Sequence, residues 1–117
     1  FTINQLKEVV ESLNSTTPAI LSVFAGRIAD AGQDAEKIMI ESIKIAKSKP
    51  HSEVLWASTR EIYNIFQADK IGTHIITVPH DILGKINSLG KNLEEFSLET
   101  VKGFYKDALS AGFKIKI

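Results

Sequence analysis

Cysteine is absent from the 117 residues. That excludes disulfide staples, thiolate metal sites, cysteine nucleophiles and thioredoxin-type redox chemistry, and it fits a reducing, cytoplasmic setting. An excess of charge of either sign is also lacking, because 14 Lys+Arg balance 14 Asp+Glu. A net charge of zero offers no field to gather a phosphate backbone, so nucleic acid is not an expected partner. No apolar run reaches the roughly 18 to 20 residues that span a bilayer, and no basic stretch precedes an apolar leader. No membrane partner is expected either. What remains, 44 % hydrophobic and 24 % charged residues, is the composition of a globular domain. The chain opens at Phe1 rather than Met, directly on a helix-start signal, as a piece of a longer protein would.

Thr2-Ile3-Asn4-Gln5 fits a capping box, and Ile3, Leu6, Val9, Val10 and Leu13 recur at helical spacing, which predicts a helix over 3–13. After a polar turn to Pro18, the run 19–24 reads as a strand covered on both faces. Residues 25–34 read as a glycine-punctuated loop ending in a possible N-cap, and 35–49 as a helix stopped by Pro50. The pattern repeats, with a strand at 53–57 and a second capping box, Ser58-Thr59-Arg60-Glu61. That box is expected to open a helix with Ile62, Ile65 and Phe66 on its inner face and Gly72 as its stop. Residues 74–78 make a third, β-branched strand ended by Pro79. A short helical segment at 81–86, a polar linker at 88–92 and a last amphipathic helix at 98–110 complete the chain. Strands alternating with helices predict a parallel α/β sheet with right-handed crossovers. Short strands suit a (β/α) barrel, yet a closed eightfold barrel needs at least about 200 residues. Three parallel strands alone would leave two open edges, so the chain is expected to associate through them.

Arginine is scarce: of the 14 basic residues only Arg27 and Arg60 are arginine, each just past the carboxyl end of a predicted strand. Ligands bind at that end in α/β sheets and barrels. A guanidinium fork matches phosphate oxygens, and Ser58 adds a hydroxyl and a helix start whose free N–H groups favour an anion. Together they suggest a phosphate site. The plainer readings are that Arg27 braces its loop through Asp30, that Arg60 sits beside Glu61 on the surface, and that Ser58 only caps. His74 and His80 flank the third strand without a third ligand at metal spacing. Tyr63 and Trp56 read as packing residues, and Asp30 and Asp81 as acid–base candidates or turn formers. Neither G-x-G-x-x-G nor G-x-x-x-x-G-K-[ST] occurs, so a nucleotide site lacks support.

Ser22-Val23-Phe24-Ala25-Gly26-Arg27-Ile28, Ala57-Ser58-Thr59-Arg60 and Ile75-Ile76-Thr77-Val78-Pro79, in that order, resemble the C-terminal half of the transaldolase and fructose-6-phosphate aldolase family. The resemblance implies a (β/α)8 TIM barrel in which these strands are six, seven and eight and the first helix is helix five. By the same resemblance Arg27, Ser58 and Arg60 hold a substrate phosphate, while Ser22 bonds a substrate hydroxyl. Phe24 stands where the family's aldolases tend to carry Tyr and its transaldolases Phe. The family's mechanism uses a Schiff-base lysine and carboxylates on earlier strands. No lysine here falls within a predicted core strand, so no catalytic residue is assigned.

The resulting expectation is one incomplete domain over 1–117, a partial barrel supplying the phosphate-binding half of a transaldolase-like enzyme of sugar-phosphate metabolism and the pentose phosphate pathway. Neither metal nor organic cofactor is expected. The partners would be a sugar phosphate and either further copies of the chain or the missing N-terminal half. An aldolase-type lyase and a non-catalytic phosphate-binding half-barrel are the alternatives.

Overall fold

Thr2 opens the first helix as its neighbours dictate. Its Oγ1 accepts from the Gln5 N–H at 3.2 Å while Gln5 Oε1 accepts from the Thr2 N–H at 3.0 Å, a complete capping box. The structure, a computed structural model, describes residues 1–114. They fall into two compact units, Phe1–Ile86 and the residues from Asn87 onward.

The first unit carries α1 (Ile3–Ser12), β1 (Ala19–Val23), α2 (Ala25–Asp30), α3 (Ala35–Ala46), β2 (Ser52–Trp56), α4 (Tyr63–Ile71), β3 (Ile75–Ile76) and α5 (His80–Leu83). The strands form one parallel sheet in the order β1-β2-β3, with Val23 opposite Trp56 and Trp56 opposite Ile76. Leu21, Val23, Val54 and Trp56 point into a core shared with Leu6 and Val10 of α1, Met39 and Ala46 of α3, and Ala68 of α4. These helices therefore gather on one face. Consecutive strand order with one-sided helices is consistent with a barrel segment, since a doubly wound sheet reverses its order and carries helices on both faces.

One-sided winding corrects the expectation that β1 is covered twice. Leu21 and Val23 are buried, but Ile20 is 61 % exposed and Ser22 and Phe24 are open too. Within the first unit the core cluster draws on the other side of the sheet alone.

Three other expectations change. The supposed loop after β1 coils into α2, because Ala25, Arg27 and Ala29 favour helix and Ile28 gains a buried position. The 58–61 capping box does not form, and α4 starts only at Tyr63. An N-cap needs extended backbone, whereas Ser58 holds φ +63°. With that shift Ala68 takes the buried position of α4. Phe66 is exposed, and so is Tyr63, at 61 %, rather than packed. Finally, β3 pairs through two residues only.

The second unit is the helix α6 (Leu93–Ser110), approached through a 3-10 turn at Ile86–Ser88. It starts earlier than its apolar pattern predicts because Asn92 caps it, its Oδ1 accepting from the Glu94 and Glu95 N–H groups at 2.9 and 3.3 Å. Lys91 pairs with Glu99 at 2.6 Å and lies over the Phe96 ring.

Candidate functional site

At the carboxyl ends of β1 and β2 the backbone itself sets the geometry. The Gly26 N–H donates to the Ala57 carbonyl at 3.3 Å, and the Ala57 N–H donates to the Val23 carbonyl at 2.9 Å. A Cβ on Gly26 would stand 1.5 Å from the Ser58 carbonyl oxygen and 2.9 Å from its Oγ. Only glycine admits this approach. The turn that carries Arg27 is thereby locked against the turn that carries Ser58.

Ser58 is the one non-glycine residue with positive φ among the described residues. Such backbone costs about 1–2 kcal/mol in an L-residue and persists where its surroundings enforce it. Ala57 is tied to β1 on one side. On the other, buried Thr59 donates its hydroxyl to the Thr77 carbonyl at 2.6 Å, fixing the loop to the end of β3.

Arg60 is held at two points. Its backbone N–H and that of Glu61 donate to Asn64 Oδ1 at 3.0 and 2.9 Å. Asn64 in turn donates to Gln67 Oε1, and Gln67 donates to Glu36 Oε2, each at 2.9 Å. The guanidinium Nη2 lies 2.5 Å from Asp30 Oδ2 at the end of α2. Two sequence-based readings are thus corrected. Asp30 braces Arg60 rather than Arg27, and the N–H groups of Arg60 and Glu61 are engaged by Asn64 rather than presented to an anion. The Ser58 and Thr59 N–H groups meet no acceptor among the described residues.

Ser58 and Arg60 line an open cavity of about 350 Å³ at the strand ends, together with Thr59, Thr77, Val78 and Pro79. Ser22 lines a separate cavity of about 310 Å³ beside β1, with Phe1, Gln5, Val9 and Ile20. Arg27 is exposed on α2 and Phe24 meets the Phe1 ring at 5.4 Å, and neither lines these cavities. The structure thus joins Ser58 to Arg60 and locks the Arg27 turn beside them, but keeps Ser22 apart.

Another cavity, of about 540 Å³, lies between α2, α3 and the start of α4. Asp34, Glu36 and Glu61 outnumber Lys37 and Arg60 on its walls, a balance that opposes a phosphate. No carboxylate lines the strand-end cavity, and Asp30 meets Arg60 through one nitrogen of the guanidinium fork and leaves the others free, so this cavity suits an anion better.

His74 does not face that rim. Its Nδ1 accepts from the Val54 N–H at 3.0 Å, which commits that nitrogen to the sheet at the amino end of β3. Among the described residues no group of three or more His, Cys, Asp or Glu could hold a metal ion. Trp56 is buried, as expected of a packing residue, and Asp81 lies in the first turn of α5.

Sequence reasoning missed Asp30 as the partner of Arg60, missed Asn64 altogether, and gave Thr59 no role apart from its place in the motif. The one local signal was an amide side chain four residues after Arg60.

The family described as Transaldolase/Fructose-6-phosphate aldolase matches residues 1–115. A probable transaldolase of Nitrosopumilus maritimus is 36 % identical over 89 residues, covering 74 % of this chain and 38 % of the relative. One from Thermoanaerobacter sp. is 31 % identical over 96 residues, 81 % of this chain and 42 % of the relative. One from Methanococcus maripaludis strain C5 is 30 % identical over 88 residues, 68 % and 41 % respectively. The chain therefore spans about two fifths of the length of these relatives.

Proposed function

Because the chain belongs to the transaldolase/fructose-6-phosphate aldolase family, we propose that its strand-end rim grips the phosphate of a sugar phosphate in a cytoplasmic barrel enzyme. That enzyme transfers a dihydroxyacetone unit between sugar phosphates. The observation that carries this reading is the interlock of Gly26 with Ser58, which sets the Arg27 turn beside the Ser58–Arg60 loop at the end of a parallel sheet.

A phosphate dianion at this rim meets the Arg60 fork, the Ser58 hydroxyl and the N–H groups of Ser58 and Thr59, and in this reading Arg27 reaches it from the adjoining turn. Charge-assisted hydrogen bonds of this kind are the strong ones. Gripping the phosphate fixes the far end of the substrate, so that its carbonyl carbon meets the reacting lysine in one orientation, which is what remote binding energy contributes to rate. In this reading β1, β2 and β3 are strands six to eight, and α1 is helix five. The Schiff-base lysine and the proton-transferring carboxylates come from earlier strands. Ser22 bonds a substrate hydroxyl. The uncovered sheet face with Ile20 and Leu55 meets the remaining barrel strands.

Phe24 favours transfer over cleavage, since a phenyl ring cannot orient a water or pass a proton to release free dihydroxyacetone. The test is a product assay on the protein at its natural length, supplied with fructose 6-phosphate and an aldose phosphate acceptor. Transfer should dominate, and Phe24→Tyr should raise the share of free dihydroxyacetone. Absence of both products would overturn the reading, and an unaltered ratio would remove the role of Phe24.

A further inference from the structure

We propose that Asp30 is the positioning residue of Arg60, holding its guanidinium in the orientation that meets a phosphate and so setting the affinity for phosphorylated ligands without touching them. This rests on the phosphate reading of the rim and adds a component to it.

Three observations carry it. First, the backbone end of Arg60 is fixed by Asn64 Oδ1 at 3.0 Å, so what the fork points at is decided at the side-chain tip. There Nη2 meets Asp30 Oδ2 at 2.5 Å, across 30 residues of sequence. Only one nitrogen is engaged, which leaves Nη1 and Nε for an anion. Second, the two side chains are 44 % and 53 % exposed. An ion pair so open to water adds little to stability, so its use is not in holding the fold. Third, Asp30 is the last residue of α2, where the carbonyl end of a helix disfavours a carboxylate. Arg60 is the cation that offsets that local cost, which favours pairing of the two groups.

An unpinned arginine must surrender its rotamer freedom each time it binds an anion. That loss is worth roughly three- to tenfold in affinity. Asp30 removes it in advance.

The test is calorimetric titration of the natural-length protein with fructose 6-phosphate and, in parallel, with fructose. Asp30→Ala should weaken fructose 6-phosphate by roughly three- to tenfold and leave fructose unaffected. Asp30→Asn should recover most of the loss, because the amide oxygen still accepts from Nη2. Added to Arg60→Ala, Asp30→Ala should have no further effect. Tighter or unchanged binding in Asp30→Ala, equal losses for both ligands, or an additional loss in the Arg60→Ala background would each overturn the proposal. If Arg60→Ala weakens fructose 6-phosphate and Asp30→Ala does not, only the role of Asp30 falls. If Arg60→Ala itself changes nothing, the phosphate reading falls and takes this proposal with it.

Discussion

Ser58 shows how much of the site is backbone rather than side chain. Serine at φ +63° is held there by Ala57 and Thr59, and the conformation turns its carbonyl onto the space where Gly26 has no Cβ. Ser58→Gly should therefore relieve about 1–2 kcal/mol of strain, offset by about 0.4–1 kcal/mol of extra freedom in the unfolded chain. Urea denaturation should show stability unchanged or slightly raised, while loss of the hydroxyl weakens sugar-phosphate binding by about 0.5–1.5 kcal/mol. A clearly destabilised variant would contradict the strained-backbone account. That Arg27 and Arg60 follow strand ends was legible in the sequence, because arginine is scarce and the strands before them are apolar runs. The conformation of Ser58 was not, since nothing in a serine announces positive φ. Nor was the pairing of Asp30 with Arg60, which depends on how two loops meet in space.

At the level of elements, capping chemistry was readable where the preceding backbone is free to extend. Thr2 and Gln5 close their box, and Asp34 Oδ1 accepts from the Lys37 N–H at 3.1 Å to start α3. Replacing Asp34 by Ala should cost about 1 kcal/mol, visible as a lower urea midpoint with the slope unchanged. An unshifted midpoint would mean that packing of Met39 and Ala46 alone holds α3. The same logic failed for Ser58 to Glu61, because tertiary contact at Gly26 overrides the local pattern and Asn64 takes the exposed N–H groups instead. The helix α2 was hidden for a related reason. Gly26 reads as a loop residue in sequence, yet its purpose is close approach and the residues around it are helix formers.

Over the whole molecule, alternation of strand and helix was enough to predict a parallel sheet, and the sheet is parallel in consecutive order. That its helices gather on one face could not be read from β1, because an apolar run such as Ala19–Val23 looks the same whether one face or both are covered. In the proposed barrel this uncovered side faces the remaining strands, and the strand ends carry Ser58 and Arg60. The central claim is that this rim recognises a phosphate. Its most direct test is the affinity of natural-length Arg60→Ala for fructose 6-phosphate against that for fructose, by calorimetry. The account predicts a loss of about 1.5–3 kcal/mol for the phosphorylated sugar alone, the range for a hydrogen bond to a charged group. Equal binding of fructose 6-phosphate by variant and parent would contradict it.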